Sequence, residues 1–130
     1  MKEIVFYKFP SGKCPVEDFL DSLASKDAQK VVWVLSLIEE MEQVSTKYYK
    51  RLVNTNGIIE VRVQVAKNNF RLLGFEDEGK FVILTNGFKK KDQKTPKKEI
   101  KLAQQRMQDY LKRKNNEWFK KVYSKKKSKR

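Results

Sequence analysis

The clearest hydrophobic pattern lies in the middle of the chain, where three short apolar segments are separated by polar turns. In the first, residues 58–65, apolar and polar residues alternate, which predicts a strand with one face towards the core. The other two, residues 70–75 and 81–88, are apolar at almost every position, which is typical of strands covered on both faces. Turns at residues 66–69 and 76–79 predict that these strands form an antiparallel meander.

The segment before this meander predicts one further strand and two helices. Residues 3–9 are rich in aromatic and β-branched side chains and predict a first strand. Apolar residues with helical spacing predict a helix that begins near Pro15 and a second helix, capped by Ser25 or Asp27, that ends near Gln43. The predicted apolar face of the second helix consists of Ala28, Val31, Val32, Leu35, Ile38 and Met41, and Trp33 and Val34 widen it.

The remaining segments complete the prediction of a single domain. Residues 44–56 are interpreted as a connection to the meander, and Thr95 as the N-cap of a last helix with Pro96 at its first position. The chain ends in a run of lysine, arginine and serine, which favours disorder. We therefore predict one domain over residues 1–123, followed by a disordered basic tail over residues 124–130.

The charge of the chain is unevenly distributed. The formal net charge is +14, and residues 89–130 carry 18 Lys and Arg against 4 Asp and Glu. Residues 1–88 carry twelve charges of each sign, so the whole excess lies in the last third. Because this excess begins before the tail, it indicates a polyanion such as a nucleic acid as partner. The alternative is that the lysines only maintain solubility.

The composition excludes several kinds of chemistry. The chain contains no histidine, and its one cysteine, Cys14, leaves no partner for a disulfide or a zinc site. A lone cysteine fits a reducing compartment, and we expect a cytoplasmic protein. There is no glycine-rich phosphate loop and no apolar run long enough to span a membrane. We therefore expect neither a metal, a cofactor nor a membrane partner.

The remaining chemistry is that of fixed positive charge. Arg62 and Arg71 lie inside predicted strands, and the three lysines at residues 89–91 directly follow the last strand. RNA can be cleaved by attack of its own 2′-hydroxyl on the adjacent phosphorus. This reaction needs the 2′-oxygen aligned with the phosphorus and the extra negative charge on the phosphate stabilised, and arginines can supply that stabilisation. A lysine can act as base if neighbouring cations lower its pKa. The alternative is that Arg62 pairs with Glu60 on an exposed face and that the lysines form a solvated loop.

Four stretches of the chain carry a resemblance to a known family. They are FYKFPSGKCPVEDFLDSL, IIEVRV, NNFRLLGF and VILTNGFKKKDQKTPKKEIKLAQQRMQDY, which together span residues 4 to about 112. With these stretches the chain resembles the RelE/ParE superfamily of toxin–antitoxin toxins, in particular its HigB-like, phage-associated branch. The resemblance implies an α+β, RelE-like fold. An N-terminal strand and a two-helix hairpin precede a three-stranded antiparallel meander that completes a twisted, mostly antiparallel sheet, and a C-terminal helix closes the fold.

The resemblance also implies an activity and the residues that perform it. The implied activity is that of a ribosome-dependent mRNA endonuclease, which inhibits translation by cutting codons in the ribosomal A site. By the family's motif, the catalytic residues are Arg62, Arg71, Lys89 and Lys90. Some relatives add a tyrosine or histidine near the C-terminus, whereas the first tyrosine after these lysines is Tyr110. The surrounding cations interpreted as RNA-binding are Lys50, Arg51, Lys91, Lys94, Lys97 and Lys98.

The implied partners are the ribosome with its mRNA and a helix-turn-helix, HigA-like antitoxin. That antitoxin would also repress its own operon, so that the toxin meets operator DNA indirectly, as a co-repressor. Two other functions remain open from the sequence. One is a non-enzymatic inhibitor of the gyrase-poisoning type, which shares the fold without needing cations on the sheet. The other is a plain nucleic-acid-binding module in which the basic end does all the binding.

Overall fold

The computed structural model describes residues 2–91 and 93–128, and it shows one mixed sheet between two short helices and one long helix. Side chains are described except at position 119 and positions 122–128. In chain order the elements are β1 (Glu3–Phe6), α1 (Pro15–Asp21), α2 (Ser25–Glu40), β2 (Tyr49–Arg51), β3 (Ile58–Val65), β4 (Asn68–Asp77), β5 (Phe81–Lys90) and α3 (Lys97–Ser128).

The sheet has the spatial order β1-β5-β4-β3-β2, and its pairs are antiparallel except for the parallel pair β1–β5. The predicted α+β class, the antiparallel meander and the C-terminal helix are confirmed. The prediction of four strands was wrong, because the segment interpreted as a connection contains β2. A three-residue strand is too short to show a periodicity, and it forms because its backbone pairs with β3.

Several predicted boundaries also differ from the structure. β1 ends at Phe6 instead of Phe9, and α2 ends at Glu40 instead of Gln43. The predicted caps of α2 were wrong, because the N-cap is Ala24, which offers no side-chain oxygen. The prediction that residues 76–79 form a turn was also wrong for the first two, which extend β4 to Asp77.

The buried face of α2 is narrower than predicted. Val32, Trp33 and Met41 are about half exposed, so their assignment to the core was wrong. Each residue turns the helix by about 100°, which carries Val32 away from the buried stripe, and Met41 follows the end of the helix. The residues of α2 that are buried are Val31, Val34, Leu35 and Ile38.

The two faces of the sheet are covered to different extents. On one face, α1 and α2 bury the alternate residues of β3 that the sequence predicted, from Ile59 to Val63. On the other face, Ala103 of α3 packs on Ile58 and Leu73, so this face is not the solvated one that the alternation predicted. Arg62 of β3 remains partly exposed, so α3 covers β3 only in part.

Helix α3 begins one residue later than predicted and includes residues 124–128 of the predicted tail. Residues 129 and 130 lie outside the described part of the chain, and the division between domain and tail at residue 123 stays a prediction. No helix in the described residues has both the length and the hydropathy needed to cross a membrane.

Gly74 lies at a register shift in the β4–β5 pair, where the two backbones approach closely. Leu73 pairs with Asn86 and Gly74 pairs with Leu84, so one residue of β5 bulges. A Cβ atom on Gly74 would lie 2.0 Å from the carbonyl oxygen of Ile83, which is part of the backbone.

We expect Gly74→Ala to lower the free energy of unfolding by about 1–3 kcal/mol, the usual cost of overpacking. Urea denaturation measures this loss. Gly79→Asn is the matched control, because Gly79 has open space around its Cβ position and its φ of +66° is one that asparagine tolerates. A Gly74→Ala variant as stable as this control would contradict the role of the bulge.

Candidate functional site

Arg62 and Arg71 lie directly opposite each other on β3 and β4, at the end of the sheet face that α3 covers only in part. Between them lies the carboxylate of Glu60, which is only 1% exposed. Its Oε1 atom is 3.2 Å from Nε of Arg62 and 3.7 Å from Nε of Arg71. Because opposed like charges repel, the carboxylate is what allows the two guanidinium groups to face each other here.

The same carboxylate connects the arginine pair to the loop before α3. The hydroxyl of Thr95 donates a hydrogen bond to Oε2 of Glu60. The prediction that Thr95 caps α3 was therefore wrong, since its hydroxyl is used at the arginine pair and the helix begins at Lys97. The contact holds the lysine-rich loop against the sheet.

The two guanidinium groups retain donors that the protein does not use. The Arg62 side chain is 31% exposed and that of Arg71 is 11% exposed. Nη1 of Arg71 donates to the carbonyl of Phe70 at 2.9 Å, and its Nε is buried without a hydrogen-bond partner among the described residues. Burial lowers the pKa of Arg71, Glu60 opposes this effect and Arg62 adds to it. An arginine still remains charged at neutral pH, so both groups can bind an anion.

A cavity of about 490 Å³ opens over the arginine pair. Its cationic lining residues are Lys30 of α2, Lys47 of the loop before β2, Arg62 and Arg71. None of the described lining residues is acidic. A second cavity of about 310 Å³ shares Arg71 and is lined by Lys90 and Lys91. This arrangement suits a phosphate or a chain of phosphates.

The structure separates the predicted catalytic pair Lys89 and Lys90. Both lie within β5 and not after it, so their predicted position was wrong. Lys90 pairs with Asn69 and Lys89 with Phe70, and the alternation of the strand turns only Lys90 towards the face that holds Arg71. Lys90 is partly buried, whereas Lys89 is exposed.

The surroundings of Lys90 favour its neutral form. Burial is the largest cause that lowers the pKa of this amine, and the charges of Arg71, Arg62 and Lys50 lower it further. Glu60 acts in the opposite direction. Lys50 faces Glu60 across β2 and β3, so this predicted RNA-binding residue does share the face of the arginine pair.

The other predicted RNA-binding residues are placed in different regions. Lys91 lines the second cavity, and Lys94 is exposed in the loop before α3. Lys97 and Lys98 are exposed at the start of α3, where they line a separate groove of about 810 Å³. Arg51 points to the opposite face from its neighbour Lys50 and pairs with Glu76 at 2.9 Å. The structure therefore does not bring Arg51 to the arginine pair.

Tyr110, the first tyrosine after the lysines, is also away from the cavity. Its hydroxyl donates to Asp77 at 2.9 Å, and its ring packs edge-to-face on Phe75. Lys114 contacts the same carboxylate at 2.9 Å. These contacts fasten α3 to the end of β4, which gives Tyr110 a structural role.

Sequence reasoning gave no role at the site to three polar lining residues of the larger cavity, which are Lys30, Gln64 and Asn69. They lie on α2 and on both strands of the β3–β4 hairpin, so no local motif connects them. One signal was present, since Glu60 is an acidic residue in a strand of β-branched side chains. The cavity is also lined by Lys47 and Tyr48, which shortly precede the predicted RNA-binding residues Lys50 and Arg51 in the sequence.

The family model for "Phage derived protein Gp49-like (DUF891)" matches residues 18–108 of this chain. The matched segment contains β2 to β5 and the first part of α3, and with them Glu60, Arg62, Arg71 and Lys90. A search of curated proteins gave no match to the chain.

Proposed function

Because this chain belongs to the phage-derived Gp49-like family, a family of the RelE type associated with toxins of toxin–antitoxin systems, we propose that it is a ribosome-dependent mRNA endonuclease of the HigB-like branch. The observation that carries the proposal is the cavity around Arg62 and Arg71, which has four cationic lining residues and no acidic one among those described. A growth inhibitor that does not bind nucleic acid has no need of such a cavity.

The cleavage step uses the 2′-hydroxyl of the RNA as nucleophile. The 2′-oxygen forms a bond to the adjacent phosphorus, and the bond from phosphorus to the 5′-oxygen of the next nucleotide breaks. The products are a 2′,3′-cyclic phosphate and a 5′-hydroxyl. The leaving 5′-oxygen takes up a proton from solvent, and the proton removed from the 2′-hydroxyl is returned to solvent, so no water or metal is consumed. Arg62 and Arg71 bind the phosphate oxygens and stabilise the negative charge that increases in the transition state.

Lys90 is the residue that we assign to the removal of the 2′-hydroxyl proton. It lies on the face of Arg71, and burial and the nearby cations lower its pKa. A lysine can be a base only when its amine is neutral, which these surroundings favour. Lys89 points to the opposite face and is assigned no role at the scissile phosphate.

This assignment predicts a pH dependence. Below the pKa of Lys90 the neutral fraction increases about tenfold per pH unit, so the logarithm of the cleavage rate should rise with pH at a slope of about 1. Lys90→Met should abolish the rise. Single-turnover cleavage on programmed ribosomes, measured from neutral to mildly alkaline pH, tests this. Lys89→Met is the matched control, and loss of the rise in that variant instead would show that the wrong lysine was assigned.

A toxin of this family type has an antitoxin as partner in general. We propose that the antitoxin here is a helix-turn-helix, HigA-like protein, which would also bring the toxin to operator DNA. The second partner is the ribosome, and the formal net charge of +14 supports its approach to ribosomal RNA.

Primer extension on mRNA after induction tests the proposed activity. We expect cleavage within codons, in register with the reading frame, only when ribosomes are present. Replication that stops before translation, without any cleaved mRNA, would instead support an inhibitor of the gyrase-poisoning type. Cleavage without ribosomes would contradict the ribosome dependence. Deletion of residues 124–130 should weaken the effect only in part, whereas a plain nucleic-acid-binding module would lose its function.

A further inference from the structure

The larger cavity is bordered by an aromatic ring as well as by cations. Tyr48 lines it, and its backbone carbonyl accepts a hydrogen bond of 2.8 Å from the backbone N–H of Arg62. Tyr49 does not line this cavity, and its hydroxyl donates a hydrogen bond to Glu76 at 2.6 Å. Of the two adjacent tyrosines, only Tyr48 is therefore a lining residue of this cavity.

Neighbouring side chains hold the Tyr48 ring in position. Trp33 of α2 contacts it edge-to-face, with 6.1 Å between ring centroids and 83° between the ring planes. Nζ of Lys47 is 5.4 Å from the centroid of the Tyr48 ring. A ring that is already fixed loses little conformational entropy when a flat group stacks on it.

The edge of the sheet adds backbone hydrogen-bonding groups to the same cavity. β2 pairs with β3 along residues Ile59 to Val61 of β3, and the backbone bond between Tyr48 and Arg62 follows at the next residue. Gln64 lies two residues further along β3 and lines the cavity. Because alternate residues of a strand point their N–H and C=O groups to the same side, those of Gln64 point out from the edge beyond β2.

We propose that this cavity binds a complete nucleotide of the RNA, with the phosphate on Arg62 and Arg71 and the base stacked on Tyr48. The backbone N–H and C=O of Gln64 then face the edge of the base and select its pattern of donors and acceptors. The cavity volume of about 490 Å³ lies within the range of sites for small ligands. The inference rests on the proposed endonuclease function, and it assigns base recognition to residues outside the cleavage step.

Three probes that share a phosphate separate the contributions to binding. They are inorganic phosphate, ribose 5-phosphate and adenosine 5′-monophosphate, titrated into the full-length protein and followed by NMR chemical shifts. Stacking of one base on an aromatic ring should make the nucleotide bind roughly 10- to 100-fold more tightly than ribose 5-phosphate. Tyr48→Ala should abolish this difference and keep the binding of inorganic phosphate, whereas Tyr48→Phe, which retains the ring, should keep both.

The outcomes distinguish this inference from the proposed function. Equal binding of nucleotide and ribose 5-phosphate by the unmodified protein overturns the inference, as does a difference that persists in Tyr48→Ala. If Tyr48→Ala does not fold, Tyr48→Leu gives the same test, because leucine fills the space without an aromatic ring. Failure of the protein to bind any of the three probes counts against the phosphate site itself, and so against the proposed function.

Discussion

Replacement of Arg71 by alanine is expected to abolish toxicity and to lower the rate of mRNA cleavage by roughly 10²- to 10³-fold. This is the usual effect of removing one preorganised group that stabilises transition-state charge. Arg71 is the more enclosed member of the pair, at 11% exposure, so its charge acts on the phosphate with little screening by solvent. Arg62→Ala should act in the same direction. Growth after induction and single-turnover cleavage on ribosomes measure both effects.

Arg71→Lys should not restore the activity, because a lysine lacks the planar fork that binds two phosphate oxygens together. Thermal unfolding checks that each variant remains folded. The matched control is Arg113→Ala, which removes an arginine of α3 that pairs with Asp109 at 2.7 Å and takes no part in the cavity. Full toxicity in the double variant Arg62→Ala, Arg71→Ala would refute the proposed mechanism.

The proximity of Arg62 and Arg71 was accessible from the sequence because both lie on one predicted hairpin. Their direct opposition was not, because the turn predicted at residues 66–69 was wrong for its last two residues, which begin β4. β3 and β4 are joined by a two-residue turn at Ala66 and Lys67, and that turn sets the register in which Arg62 pairs with Arg71. The strands themselves follow from the spacing of apolar residues. Two arginines on one hairpin could therefore be placed close together without knowledge of the rest of the fold.

The parts that escaped prediction depend on contacts between distant segments. β2 has three residues and owes its existence to pairing with β3, which no local pattern records. Lys30 reaches the cavity from the exposed side of α2, where a lysine is unremarkable in the sequence. Glu60 is buried among Arg62, Arg71 and Thr95 of the loop before α3, on the face that the alternation predicted to be solvated.

The assignment of Lys90 and Lys89 shows how a small error in a strand boundary changes a site. If β5 ended at Phe88, both lysines would lie in a loop and either could turn towards the arginines. Because β5 continues through Lys90, alternation decides which of the two does so. Apolar pattern alone predicts the end of a strand poorly when its last residues are charged and still paired through their backbones.

Replacement of Glu60 by alanine is expected to lower the free energy of unfolding by about 3–5 kcal/mol, the usual effect of removing one partner from a buried ion pair. The carboxylate is buried between Arg62 and Arg71 and accepts the hydroxyl of Thr95. Without it, two guanidinium groups face each other with no opposite charge between them. Chemical denaturation measures the loss, and Glu60→Gln should lose less, because its amide oxygen still accepts a hydrogen bond.

The same variants should respond more strongly to phosphate than the unmodified protein. Glu60 competes with a bound anion for the guanidinium groups, so an added phosphate can replace the charge that Glu60→Gln removes. A ligand that binds only the folded state raises its stability, and tighter binding raises it further. We therefore expect inorganic phosphate to increase the melting temperature of Glu60→Gln more than that of the unmodified protein.

The matched control for this comparison is Glu76→Gln, which removes a carboxylate paired with Arg51 on the opposite face of the sheet. It should also lose stability, since Glu76 accepts hydrogen bonds from Tyr49 and Arg51. Its response to phosphate should equal that of the unmodified protein, because neither arginine of the cavity contacts it. An equal increase in both variants would mean that phosphate acts on the protein's overall charge, and that Glu60 does not hold the arginine pair ready for an anion.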